Sequence, residues 1–173
     1  MNGITYTITY TVSGLTTATE SVTPTGSWSL GDTGPGGGKI FYVNTSGFAC
    51  GPNLTGTCYY LEVAPASANS AKDWSSPAYD AISVPGGTPG TAIGSGYQNT
   101  MAIIAQGNNN PANSAAAYAQ AYRGGSLTDW YMPSTLELKE LATKYSSFSS
   151  DATFTGAPAV EPEVEVVSAS ENT

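Results

Sequence analysis

Residues 31 to 43, GDTGPGGGKIFYV, concentrate the side chains and spacings that invite a chemical reading. A glycine-dense loop ending in lysine can wrap a phosphate in backbone N–H groups, and an Asp-Thr-Gly triplet can carry the carboxylate of an acid protease. Spacing removes the first. A phosphate loop needs glycine, four residues, then Gly-Lys-Ser/Thr. Counting back from Gly38-Lys39, the first glycine position holds Thr33, and the hydroxyl position holds Ile40. The second reading lacks its partner. Acid proteolysis takes two aspartates that share a proton, and the chain has one such triplet, Asp32-Thr33-Gly34, set among Gly, Pro and Trp. The residues do support a tight turn: Gly34 and Gly36 to Gly38 permit positive φ, Pro35 fixes its own, and Lys39 to Val43 read as strand.

Little else in the chain is equipped for catalysis. It has no histidine, which removes the usual general base and zinc ligand. Cys50 and Cys58 are the only cysteines. They flank a Gly-Pro-Asn turn at a spacing that fits a disulfide-closed loop and an oxidising compartment, with two independent buried thiols as the alternative. The spacing is not C-x-x-C, so zinc and redox roles are disfavoured. The net charge is −8, from 13 acidic and 5 basic residues. That balance argues against nucleic acid, whose phosphates need clustered Lys and Arg, and equally against anionic membrane surfaces. No run approaches the ~18 apolar residues of a membrane span, and the N-terminus lacks the pattern of an export signal.

The elements that would position these groups are β-rich and loop-rich. Charged residues make up only 10% of the 173, Ser, Thr, Gly, Asn and Ala are abundant, and 11 residues are Tyr. This profile suits secreted or surface-displayed modules. Residues 4 to 12, ITYTITYTV, alternate strictly and predict a strand, followed by a Thr-rich linker to about Pro24. The expected divisions are 1–27, an N-terminal strand and linker that ends a preceding β domain or docks on a neighbour; 28–156, the main domain; and 157–173, an acidic tail or edge strand. Strands are expected over 39–43 and 58–63, and a short one around Val160, Val164 and Val166, where Pro158 and Pro162 favour an edge. Residues 65 to 98 read as long ordered loops, with Trp74, Tyr79, Ile82 and Ile93 as their buried anchors. Two or three helices are predicted. Asn99 or Thr100 caps MAIIAQG, which stops at Gly107. Asn110-Pro111 opens PANSAAAYAQAYRGG, with Gly124 as the stop. Ser134-Thr135-Leu136-Glu137 forms a capping box before LKELATKY, with Leu138, Leu141 and Tyr145 on one face.

Taken in order, GDTGPGGGKIFYV, CGPNLTGTCYYLEVAP, TAIGSGYQNTMAIIAQ and GGSLTDWYMPSTLELKEL resemble bacterial surface-protein domains related to the C-terminal domain of the Lcl collagen-like adhesin. The most specific part is Asp129-Trp130-Tyr131-Met132-Pro133-Ser134 with Glu137-Leu138. The resemblance covers about residues 28 to 145. It implies an α+β, C-type-lectin-like domain: a small antiparallel sheet, two to three helices and long loops that present a binding surface. In that family the last helix is followed by strands that complete the sheet; here VVSASEN, at 166 to 172, echoes that segment without its tryptophan, which leaves a truncated sheet or strands supplied by another chain.

The expected function is a non-enzymatic extracellular binding or adhesion module on a cell or virion surface, with a glycan or surface protein as ligand. Candidate contacts are Trp74, Tyr79, Asp129, Trp130 and Tyr131, the core being favoured for Trp130. No cofactor is expected, although Asp73, Asp80, Asp129 and Asn108 to Asn110 offer oxygen ligands for calcium. The alternative is a structural subunit of an extracellular filament or fibre that self-associates through its N-terminal strand. An enzymatic role, by analogy with formylglycine-generating enzymes of lectin-like core, is disfavoured because Cys50 and Cys58 read as a loop-closing pair.

Overall fold

Alternating Ile, Tyr and Thr favour extended backbone, where β-branched and aromatic side chains pack on a pleated surface. Strand β1 (Tyr6–Tyr10) forms there and pairs antiparallel with β2 (Ala18–Val22), from Tyr6 opposite Val22 to Tyr10 opposite Ala18. The partner of the first strand therefore lies inside the Thr-rich stretch expected to be a linker, and the pairing satisfies backbone groups that a lone strand would leave open. The computed structural model describes residues 6–10, 18–22, 27–68, 70, 72–79, 81–84, 90–148 and 167–171. Among the described residues the architecture is α+β, with antiparallel sheets and three α-helices.

The second sheet begins with a hairpin of β3 (Lys39–Cys50) and β4 (Gly56–Val63). β3 runs well past Val43, where the sequence suggested it would stop. A bulge allows this: Val43 faces Tyr60 and Phe48 faces Cys58, so residues 44–47 lie opposite Tyr59 alone. Gly47, at φ 80°, supplies the left-handed step inside it. Cys50 and Cys58 are both buried and joined in a disulfide with a Cα–Cα distance of 5.9 Å, closing the end of the hairpin.

Helix α1 (Gly96–Ala105) starts earlier than Asn99 or Thr100, behind Ser95, because both residues are used otherwise. Asn99 Oδ1 accepts the Gly90 N–H (2.9 Å), and Thr100 Oγ1, inside the helix, donates to the Gly96 carbonyl (2.9 Å). The helix stops as expected at Gly107, φ 114°. Helix α2 (Ala115–Ala121) is capped by Ser114, whose Oγ accepts the Ala117 N–H (3.4 Å). Asn110 instead closes a turn, accepting the Ala112 N–H at 3.0 Å, so the helix opens later than the Asn-Pro signal suggested.

Strand β5 is the dipeptide Trp130–Tyr131, followed by α3 (Thr135–Phe148) and β6 (Val167–Glu171). The strand order is β3-β4-β6-β5. Residues 167–171, within the stretch read as an acidic tail or edge strand, thus form an interior strand, pairing with β4 from Cys58 to Val63 and with both residues of β5. The expected strand positions Val160, Val164 and Val166 lie outside the described residues. On α3 Leu141 is buried as expected, but the position buried one turn before it is Glu137, and Leu138 is 40% exposed. The side chain of Tyr145 lies outside the described residues.

Adjacent residues of a strand point to opposite faces. Tyr131 accordingly joins Phe41, Leu61, Val63, Leu141 and the disulfide on one side of the sheet. Trp130 joins Ala64, Ala68 and Ala119 on the other, beneath α2. Among the described residues no helix is long and apolar enough to cross a membrane.

Candidate functional site

The glycine loop at 34–38 binds an anion, and the anion belongs to the chain itself. Glu62, on β4, is fully buried. Its Oε2 accepts the Gly36 N–H at 3.0 Å and its Oε1 the Gly38 N–H at 2.6 Å. Two backbone N–H groups of one turn thus converge on a single carboxylate, as in the anion-binding concavities that turns form, while the Gly37 N–H between them closes the turn onto the Gly34 carbonyl. The glycines are required by space. A Cβ on Gly34 would overlap the Glu62 carboxylate, one on Gly36 the indole of Trp130, and one on Gly38 the Val63 carbonyl. Two N–H donors suit the ionised carboxylate, yet burial outweighs them and, with the charge of Asp129 adding to it, holds the Glu62 carboxyl above the ordinary range.

A second internal carboxylate organises α3. Glu137 Oε2 accepts the Ser134 N–H (2.6 Å), and Ser134 Oγ accepts the Glu137 N–H (3.3 Å), which is the expected capping box. Glu137 Oε1 also accepts from Gly94 N–H (2.7 Å) and the Tyr131 hydroxyl (3.2 Å), tying the loop before α1 to the helix. Burial raises this carboxyl as well, against the four hydrogen bonds that lower it. In chemical terms both glutamates are committed to backbone donors, and their role is to hold loops.

Of the aromatic residues singled out from sequence, Trp130 and Tyr131 have no exposed surface. They are core and cannot meet a ligand. Trp130 packs edge-on against Tyr122 (centroids 4.8 Å apart) and donates Nε1–H to the Gly124 carbonyl (3.1 Å). Asp129, half-buried before them, contributes its charge to the Glu62 cradle. Trp74, expected to be a buried anchor, is 46% exposed, and Ile82 is 49% exposed; Tyr79 is half-buried, and Ile93 packs at the core margin.

The 73–84 stretch is nevertheless held down. Asn108 is buried, accepts the Ser76 N–H (3.0 Å) and donates to Ser75 Oγ (3.0 Å) and Gln106 Oε1 (2.9 Å). Gln106 donates in turn to the Ile82 carbonyl. Asn108 thereby spends its side chain on the loop. Asp73 is exposed, Asp80 lies outside the described residues, and among the described residues no three His, Cys, Asp or Glu side chains gather around one point.

A cleft of about 800 Å³ lies elsewhere, between the segment 27–30 and the β3–β4 hairpin. Trp28, Leu30, Val43, Tyr59 and Tyr60 give it aromatic and apolar walls, and Ser27, Ser29 and Thr45 add hydroxyls. The bulge creates it: with four residues of β3 opposite Tyr59, regular cross-strand cover is lost at that position. The near wall is fixed by hydrogen bonds. Asp32 Oδ2 accepts the Ser29 N–H (2.8 Å), the Gly31 N–H donates to the Ile40 carbonyl (2.9 Å), and the Ile40 N–H donates to the Asp32 carbonyl (3.0 Å). In the sequence Trp28 stands out only as the first residue of the expected main domain, 28–156. The cleft depends on a bulge that nothing in YVNTSGF announces except Gly47.

Comparison with protein-family models, curated proteins and solved structures finds no match to this chain.

Proposed function

We propose that the chain is a non-enzymatic binding or adhesion module of an extracellular surface, the role implied by its resemblance to lectin-like surface domains, with a glycan or a surface protein as ligand. The observation that carries this reading is the cleft walled by Trp28, Tyr59 and Tyr60 on a scaffold already locked by hydrogen bonds. Aromatic side chains give a large contact area with few rotatable bonds, and a preformed wall lowers the ordering cost of binding. The disulfide suits an oxidising compartment. Trp74, held out on the Asn108-fastened loop, offers a further contact.

The test is attachment of the labelled, purified chain to a panel of eukaryotic and bacterial cell surfaces by flow cytometry, with Trp28→Ala and Trp74→Ala beside it. Saturable attachment that weakens in Trp28→Ala is expected. Attachment no greater than that of an inert carrier protein, or full attachment by both variants, would overturn the reading.

A further inference from the structure

We propose that the cleft formed by Trp28, Leu30, Val43, Thr45, Tyr59 and Tyr60 is a metal-independent site for a neutral carbohydrate. The inference rests on the binding role above and names the ligand class of that same site.

Charge is the first argument. The chain carries −8, yet among the described residues no Asp, Glu, Lys or Arg lines the cleft. Asp32 and Glu62, the carboxylates nearest to it in sequence, are turned onto the Ser29 N–H and onto the Gly36 and Gly38 N–H groups. A sulfated or sialylated ligand would find no cation there and would meet the repulsion of a net negative chain. An acidic or basic peptide would bury its charges unpaired. The wall offers no carboxylate through which calcium could bridge ligand and protein.

The mixture of groups is the second argument. A pyranose ring presents C–H faces that pack on aromatic rings, and an equatorial fringe of hydroxyls that both donate and accept hydrogen bonds. Trp28 and Tyr59, both half-buried, supply such faces. Ser27, Ser29 and Thr45 supply hydroxyls that can act as donor or acceptor, and so match a ligand whose polar groups are themselves hydroxyls. A wholly aliphatic ligand would leave these hydroxyls unmatched. Space is the third: about 800 Å³ falls within the range of small-molecule sites and exceeds what a single sugar fills, so a short oligosaccharide fits it.

The experiment presents the full chain to an array carrying neutral, sialylated and sulfated oligosaccharides together with a peptide library, and titrates the best ligands by calorimetry with and without chelator. Neutral glycans are expected to bind, equally well in chelator. Trp28→Ala should weaken them by about tenfold or more, and Trp28→Phe by less. Thr45→Trp, at an exposed position of the bulge, should block the cleft with an unchanged melting temperature; it keeps the test decisive if Trp28→Ala does not fold. Neutral-glycan binding that survives Thr45→Trp, or that vanishes with chelator, overturns the proposal. Cleft-dependent binding of peptides or sulfated glycans alone overturns the ligand class and leaves the binding role standing. Silence on the array overturns the proposal too, and cell attachment by the same variants then decides the binding role separately.

Discussion

Replacing Glu62 tests whether the glycine loop is built around a buried charge. In Glu62→Ala the N–H groups of Gly36 and Gly38 lose partners at 3.0 and 2.6 Å while staying covered by Trp130 and the sheet. An unsatisfied buried donor costs about 1–3 kcal/mol, so the pair gives about 2–6 kcal/mol, a large share of a typical domain's stability. The pH dependence follows from the raised carboxyl. The folded state holds its proton to higher pH than the unfolded chain, whose group titrates near 4.5. Between those two values the unfolded state binds fewer protons, so stability falls as pH rises, by up to about 1.4 kcal/mol per pH unit for one group, and then levels off above the folded value. Glu137 adds a second contribution of the same sign. Urea denaturation from pH 4 to pH 9 should therefore show a shallower decline in Glu62→Gln than in wild type, with the residue from Glu137 remaining. A Glu62→Ala protein within about 0.5 kcal/mol of wild type, or a Glu62→Gln slope equal to wild type, would refute the cradle as an energetic feature.

Three further outcomes are expected. Changing Cys50 and Cys58 to Ser opens a short loop and should lower stability by about 2–3 kcal/mol in denaturant titrations, and an unchanged midpoint would show that the hairpin does not need the staple. Asn108→Ala unfastens Ser75, Ser76 and Gln106, so limited proteolysis should cut first within 73–84, and a cutting pattern like that of wild type would count against the clasp. Gly38→Ala places a Cβ on the Val63 carbonyl and should abolish cooperative folding, whereas Gly37→Ala, where φ is 86° but space is open, should cost only about 1 kcal/mol by thermal melting.

The local signals were legible because their physics is local. The period-two N-terminus, the capping box at Ser134 and Glu137, the stop at Gly107 and the Cys50–Cys58 loop each involve groups a few residues apart. What escaped is long-range. Glu62 lies 24 and 26 residues from the N–H groups it binds, so CYYLEV reads only as a strand with one stray charge. Ser95 outcompetes Asn99 as the start of α1 because Asn99 is held by Gly90, a contact that no helix rule contains. Trp74 and Trp130 have the same letter and opposite fates. Trp130 sits in a two-residue strand that pairing with β6 pulls inward, and Trp74 sits in a turn whose fastening is done by polar neighbours.

The same topology weighs on the fibre alternative, which needs an open strand edge. β6 fills the place beside β4 that the expected truncation would have left vacant. The outer strands of this sheet are then β3 and β5, and β5 has two residues, too few to template a neighbour. Along the first part of β3 the outer edge is already taken: Thr33 bridges to Lys39, and Ile40 exchanges both backbone bonds with Gly31 and Asp32. The rest of that edge runs through the bulge at 44–47, where Gly47 is left-handed and the Ser46 N–H is turned back onto Asn44 Oδ1 at 3.0 Å. A bulged, twisted edge is a poor template for strand addition. Strand addition to this sheet is thus obstructed on both sides, and among the described residues the remaining strand edges are those of the β1–β2 hairpin. Light scattering on the full chain and on the chain lacking residues 1–12 tests this: polymers that disappear on deletion would place assembly in that hairpin, and a monomer before and after would count against the fibre.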